Sequence, residues 1–210
     1  MWWFNPKEVM TLLPYLSGVV FSSYGLMMDF KENYGSAIPL YTIDDRFDMA
    51  HFPMRRQHTD VTPVRLIWYG VAVNRMSLLG ALTNLERLTA SRYEIELTIM
   101  DDRPDQQLGR FPFPLYHVKW ELDKENAVIA SHDIALLPPY PGPWGAVKSD
   151  NKMHTAAVCG LPSTSGHNYD ELRLLIQDSD MRQRMADAYP LDLFDVYRSA
   201  LEWEAILWPS

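Results

Sequence analysis

Two strand-to-helix junctions in this chain carry residues whose types and spacing suit a phosphorylated ligand. In the sharper one, the apolar run Ile134–Pro138 leads through a proline- and glycine-rich loop, residues 139–147, to Lys148-Ser149-Asp150-Asn151-Lys152. That pentapeptide opens a helix that closes at Gly160-Leu161-Pro162. A helix amino terminus offers unpaired N–H groups and about half a positive charge, which suits a diphosphate. Lys148 and Lys152 add full charges beside it. A plainer alternative stands next to this one: Ser149 is simply the helix N-cap and both lysines are solvated. In the second junction Gly70 ends the run Arg65–Tyr69, and Asn74 and Arg75 follow it. A glycine there lets the backbone turn close to a ligand, and an arginine at position 75 reaches a phosphate; a lone glycine after a strand also serves packing alone. His154 lies one turn into the helix, where packing suits it as well as proton transfer does, and His117 and His132 sit near strand and helix ends. No catalytic base is assigned.

The elements that must position these junctions alternate. Gly18–Ser23, a short apolar and β-branched run, reads as a strand and Tyr24–Tyr34 as a helix stopped by Gly35, one βα unit. Residues 36–63 hold three prolines, mixed charges and little periodicity, and read as a hinge or crossing linker with a short strand at Leu40–Ile43. Strands follow at Arg65–Gly70, Glu94–Met100, Tyr116–Trp120 and Ile134–Pro138. Between and after them come helices at Ser77–Leu88, Asp123–Ala130, Ser149–Cys159, Tyr169–Met185 and Leu193–Leu207. This order predicts an α/β fold with a doubly wound parallel sheet, whose ligands bind at the carboxyl ends of the strands. No G-x-G-x-x-G follows the first strand, which weighs against an ordinary dinucleotide-binding protein.

Composition sets the outer bounds. The chain has 210 residues, 47% hydrophobic and 22% charged, which suits a globular protein with one full domain and some 50 residues besides. No apolar run is long enough to span a membrane, and the start MWWFNPKEV lacks the pattern of a signal peptide, so the expected location is cytoplasmic. Cys159 stands alone, which excludes an internal disulfide and a cysteine-cluster metal site. The net charge of −8, from 19 basic and 27 acidic residues, opposes broad nucleic-acid binding. The charge is uneven, however. Arg46, Arg55, Arg56, Arg65 and Arg75 face only Asp48 and Asp60 across residues 46–75, whereas residues 170–204 carry nine acids against four arginines.

The stretch DIALLPPYPGPWGAVKSDNKMHTAAVCGLPST resembles the nucleotide-sugar site of retaining GT-B glycosyltransferases, where a strand ending in proline leads through a loop to a helix closed by Gly-Leu-Pro. RLIWYG with its helix is similar to the opening of their C-terminal domain, and YDELRLLIQDSDMRQRM to the helix after the site. VVFSSYGLMMDFKENYG with YTIDDRFD is similar to the last βα unit and hinge of their N-terminal domain. The resemblance implies a Rossmann-like C-terminal half of GT-B with a remnant N-terminal unit. It divides the chain into a remnant and hinge at 1–60, a nucleotide-sugar domain at 61–192 and a returning C-terminal helix at 193–210. It implies a nucleotide-sugar donor, UDP-linked in the first instance, with no further cofactor and no metal. Lys148, Ser149, Asp150, Asn151 and Lys152 would hold the diphosphate, Gly70, Asn74 and Arg75 would approach it, and the Tyr116–Trp120 strand would border the base. The family often carries two glutamates, one on the sugar and one on the ribose, where this chain has Val147 and Thr155. A subset with a KSxNK-like helix start also lacks them. Their absence leaves the donor sugar, the anomeric outcome and turnover itself open.

The resemblance also implies that most of the acceptor-binding half is missing, since only residues 1–35 precede the hinge. A dimer mate, a partner subunit or a large acceptor would then shape that side. One such acceptor is a hydroxymethylated DNA base, with Arg46, Arg55, Arg56 and Arg65 on its phosphates. The alternative is that these arginines pair with the acidic C-terminal helices. Small-molecule and glycan acceptors, and a nucleotide-sugar binder without turnover, complete the readings. Trp2, Trp3, Phe4, Trp203 and Trp208 are expected to pack together or to leave an apolar patch for a partner.

Overall fold

The computed structural model describes residues 6–35, 37–105, 108–142, 145 and 147–208. The chain divides into two compact units. One comprises Met1–Asp45, Gly142–Ser149 and Tyr197–Ser210, the other Arg46–Pro141 and Asp150–Val196.

The smaller unit contains α1 (Pro6–Leu12), β1 (Val19–Phe21), α2 (Tyr24–Tyr34) and β2 (Leu40–Thr42), with β1 and β2 paired in parallel. Ser23 fixes where α2 begins. Its backbone is extended and its Oγ accepts from the Leu26 amide at 3.1 Å, while the same hydroxyl donates to the Val147 carbonyl at 2.7 Å. Phe21, Phe30 and Tyr34 form a short ladder of rings with centroids 5.1 and 4.9 Å apart.

The larger unit is built on a five-stranded sheet. Its strands are β3 (Val64–Tyr69), β4 (Ile95–Asp101), β5 (Leu115–Lys119), β6 (Ile134–Leu136) and β7 (Ser163–Thr164), all parallel and ordered β5-β4-β3-β6-β7. The doubly wound sheet expected from the sequence is present. In the central strand β3, Leu66 and Trp68 enter one core and Ile67 and Tyr69 the other, which is why its sequence is continuously apolar from Leu66 to Tyr69 rather than alternating. One core takes Leu82, Leu85 and Leu88 of α3 (Leu79–Ala90); Leu78, just ahead of that helix, ends a 3-10 turn over Ala72–Leu78. The other takes Ile129 of α4 (Glu125–Ala130) and Ala156 and Val158 of α5 (Asn151–Val158).

Two helices replace the single one expected from Tyr169 to Met185. They are α6 (Tyr169–Gln177) and α7 (Ser179–Asp187). Asp178 makes the break: its backbone is extended, and its carboxylate caps α7 by accepting from the Met181 amide at 2.7 Å. The buried Arg182 then donates to the carbonyls of Leu175 and Ile176 at 2.7 and 3.2 Å, satisfying the end of α6.

Residues 46–63 lack apolar periodicity, yet they are tied down at many points. Asn126 exchanges hydrogen bonds with both backbone groups of Met54 at 2.9 and 2.8 Å, and the Arg56 amide donates to the Cys159 carbonyl at 2.8 Å. Gly160, at φ +79°, lets this segment approach; a Cβ there would lie 2.9 Å from both the amide and the carbonyl of Arg56. The wholly buried Asp133, just ahead of β6, accepts from Arg56 Nη2 at 2.5 Å and from the Arg65 amide at 2.9 Å.

The last helix, α8 (Val196–Leu207), buries none of its residues. Tyr197 and the following Trp208 are 67% and 72% exposed, and Trp203 is exposed as well. Trp2, Trp3 and Phe4, expected to pack with these tryptophans, lie outside the described residues. No described helix is long and apolar enough to cross a membrane.

Two histidines make the larger unit sensitive to acid. His58 Nε2 donates to the Gly160 carbonyl at 2.9 Å, and its other nitrogen is buried without a partner among the described residues. His132 donates from Nδ1 to the Val128 carbonyl and receives the Thr98 hydroxyl at Nε2, each at 2.8 Å. Burial is the leading cause that lowers the pKa of both rings, so the folded state binds fewer protons than the unfolded one. Their contribution is therefore complete above the unfolded value of about 6.5 and is lost as pH falls below it. Urea midpoints should decline from pH 7.5 to pH 5.5, and a His58→Gln, His132→Gln variant should show a flatter decline.

Candidate functional site

The chain order of the sheet reverses at β3, which has β4 on one side and β6 on the other. In open parallel sheets that reversal leaves a crevice beyond the carboxyl ends of the strands. Gly70 stands there at φ +151°, a conformation that favours glycine. Lys152, in the first turn of α5, reaches the same point. Its ammonium lies 4.8 Å from the centroid of the Trp68 ring, its carbonyl accepts from the Tyr69 hydroxyl at 2.5 Å, and it fills the notch at Gly70. A Cβ on Gly70 would collide with Lys152 Nζ and sit 3.0 Å from Cε. Gly70 and Lys152, read from separate junctions of the sequence, thus meet at one place. Trp68 and Tyr69 were not among the residues expected there, because an apolar strand gives no sign of which ring ends beneath a charge.

Helix α5 starts at Asn151, two residues later than the sequence suggests. Asp150 occupies the N-cap position without a side-chain capping bond, so Ser149 is not the cap. Ser149 and Lys148 belong to the smaller unit, where the Ser149 hydroxyl donates to Asp45 Oδ2 at 2.7 Å. Thr155, at one of the two glutamate positions, is buried and returns its hydroxyl to the Asn151 carbonyl at 2.9 Å. Asn74 is half-buried in the 3-10 turn after Gly70, and its amide donates to the Val71 carbonyl at 2.9 Å. Trp120, just past β5, is 41% exposed, and its amide donates to the Asp101 carbonyl at 2.8 Å.

Arg75, expected near the diphosphate, is engaged inside the larger unit. Its guanidinium is buried and grips both carboxylate oxygens of the buried Asp101, at the end of β4, with Nη2 2.6 Å from Oδ1. It also donates to the Arg103 carbonyl. A carboxylate buried at a strand end needs a counter-charge, and Arg75 supplies it. Asp102, next in the chain, accepts from the Ala72 amide at 2.7 Å; this bond is the leading cause that lowers its pKa, and it anchors the turn after Gly70. His117 faces this group. Burial, and then the Arg75 charge, lower its pKa, and both ring nitrogens are buried without a partner among the described residues. His154 stacks on Phe194, with ring centroids 4.4 Å apart, which is a packing role.

The four arginines set aside for DNA are engaged by the larger unit's own groups. Arg55 donates to the carbonyls of Ala157 and Val158 at 2.8 and 3.2 Å, Arg56 pairs with Asp133, and Arg46 donates to the Leu193 carbonyl at 3.0 Å. Arg65 Nε lies 3.7 Å from Asp133. Arg55 thus takes backbone carbonyls, and Arg56 and Arg65 share one buried aspartate. Among the described residues no group of three or more His, Cys, Asp or Glu side chains could hold a metal ion.

No protein-family model matches the chain, and no curated protein does. Solved structures do. A sucrose-phosphate synthase from Thermosynechococcus elongatus superposes with a TM-score of 0.63 at 10% identity, over 96% of this chain and 60% of that one. A glycosyltransferase from Rickettsia africae gives 0.64 at 10% identity, over 98% and 67%. The chain has the α/β, Rossmann-like fold of GT-B structures, over part of their length. A UDP-forming alpha,alpha-trehalose-phosphate synthase from Burkholderia vietnamiensis shares the GT-B fold at a TM-score of 0.59 and 11% identity, over 96% and 61%. The chain therefore spans about three-fifths of the length of the sucrose-phosphate synthase and trehalose-phosphate synthase chains. At this identity the likeness is one of fold.

The Arg75–Asp101 pair predicts a sharp contrast between neighbours. Asp101→Asn leaves a buried guanidinium without its counter-charge and should cost about 3–5 kcal/mol in urea unfolding. Asp102→Asn, at an exposed carboxylate, should leave the urea midpoint close to that of the parent.

Proposed function

We propose that this chain is a glycosyltransferase that binds a nucleotide sugar, UDP-linked in the first instance, and moves the sugar to a hydroxyl acceptor. The observation that carries the reading is the lysine ammonium held over a glycine at the chain-order reversal of a parallel sheet, beside a helix start without a side-chain cap. In sugar transfer a nucleoside diphosphate leaves the anomeric carbon and negative charge builds on its phosphate oxygens. A prearranged donor aimed at such a charge in a water-poor site is worth roughly 2.7–4 kcal/mol. Lys152 and the first amides of α5 are the donors assigned here, with Gly70 and Asn74 lining the approach and Trp120 beside the base. The scheme draws its positive charge from lysine and helix and so requires no metal ion. The UDP assignment is supported by the GT-B-fold neighbour whose product is UDP.

A second reading, a nucleotide-sugar-binding subunit without turnover, is favoured by one feature. Thr155 stands where many GT-B enzymes carry a glutamate, and its hydroxyl is spent within its own helix. A thermal-shift panel of UDP, GDP, ADP, TDP and CDP tests the binding that both readings share. UDP at about 100 times its dissociation constant should add roughly 2.7 kcal/mol. The shift should disappear in Lys152→Ala with the fold intact; silence across the panel would sink both readings. Mass spectrometry after incubation with UDP-sugars and small hydroxyl acceptors then separates them, since transfer adds a hexose or pentose mass and a pure binder adds none.

A modified base in DNA is the weakest of the acceptors weighed, because Arg55 and Arg56 are already used inside the larger unit. Arg55→Glu with Arg56→Glu should therefore lower the urea midpoint markedly. Binding of hydroxymethylated DNA that falls steeply between about 50 and 200 mM salt, and that this variant loses with its stability unchanged, would restore the DNA acceptor.

A further inference from the structure

We propose that the carboxyl end of β3 is a purpose-built seat for the Lys152 ammonium, with Trp68 and Gly70 as positioning residues for the diphosphate of the donor. The inference rests on the donor-binding reading above. It concerns residues whose part is to aim the charge.

A lysine side chain is a flexible four-carbon stem carrying a point charge, and in water it spreads that charge over many rotamers. Three consecutive residues of β3 and its turn restrict Lys152. Tyr69 and Trp68 point to opposite faces of the sheet. The Tyr69 hydroxyl donates to the Lys152 carbonyl at 2.5 Å, and burial raises its pKa well above that of an ordinary tyrosine, so it stays protonated as a donor. The backbone of Lys152 is thereby held on the Tyr69 side of the strand. Its side chain crosses the strand end to the Trp68 side, where Nζ rests 4.8 Å from the indole centroid. That distance falls within the range of a cation–π attraction. The crossing passes over Gly70, and only a residue without a Cβ leaves room for it. Trp68 is wholly buried and packed in the α3-side core, so the platform under the ammonium is itself rigid. The result is a cation fixed at the crevice before a ligand arrives, which lowers the ordering cost of binding a diphosphate there.

Titration calorimetry of the full chain with UDP tests this. Trp68→Leu and Gly70→Ala should each weaken UDP about tenfold, and Trp68→Phe, which keeps an aromatic face, should stay within about threefold of the parent. In a Lys152→Met background, Trp68→Leu should change UDP affinity no further, since the charge it positions has gone. The seat is refuted if Gly70→Ala or Trp68→Leu binds UDP as the parent does. It is equally refuted if the Trp68→Leu loss persists undiminished in the Lys152→Met background, which would mark a general packing effect. Gly70→Ala keeps the test decisive if Trp68→Leu does not fold. If the parent binds another nucleotide of the panel instead, the same titrations are read with that nucleotide; a parent that binds none of UDP, GDP, ADP, TDP and CDP overturns the donor reading itself, and the seat with it.

Discussion

Because β3 is covered on both faces, the buried carboxylates beside it are accommodated at its two ends. At the amino end, Asp133 is neutralised by the Arg56 guanidinium and accepts a hydrogen bond from the Arg65 amide. At the carboxyl end, Asp101 is neutralised by Arg75, and the turn that delivers Arg75 also places Gly70. A charge in a low-dielectric interior is tolerated only with a partner and good hydrogen bonds, so each carboxylate recruits an arginine from a distant segment. Gly70 and the start of α5 lie at the same carboxyl end, which is where the proposed donor site is put.

The local signals were legible in the sequence. The apolar run of β3, the heptad-like leucines of α3, the glycine after β3 and the lysine-bearing start of α5 each announce themselves by periodicity or punctuation. What periodicity does not carry is pairing across the chain. Nothing local to Arg75 says that it meets Asp101, and nothing local to Arg56 says that it meets Asp133. The basic stretch therefore looked like a surface for phosphates when it is largely a set of fasteners. The same limit hid Trp68: its place in the strand could be read, and the ion above its ring could not.

The break at Asp178 shows a subtler competition. Helix-period apolar residues run from Leu172 through Met185, and that pattern alone favours one long helix. Aspartate is a poor interior residue and a good cap, and here capping prevailed. Arg182 consolidates the choice by occupying the carbonyls that the break leaves open.

Lys152 and Tyr69 are 83 residues apart in sequence. The helices and the β3–β4 pair can form from contacts much closer along the chain, whereas the contact that aims the ammonium needs β6 seated beside β3 and α5 laid back across the sheet. Loop-closure entropy makes such distant contacts slow to form, so the seat should be among the last features to appear as the chain folds. Far-ultraviolet circular dichroism would then recover ahead of the proposed nucleotide affinity during refolding, and that affinity, more than helix content, would report that the sheet is complete.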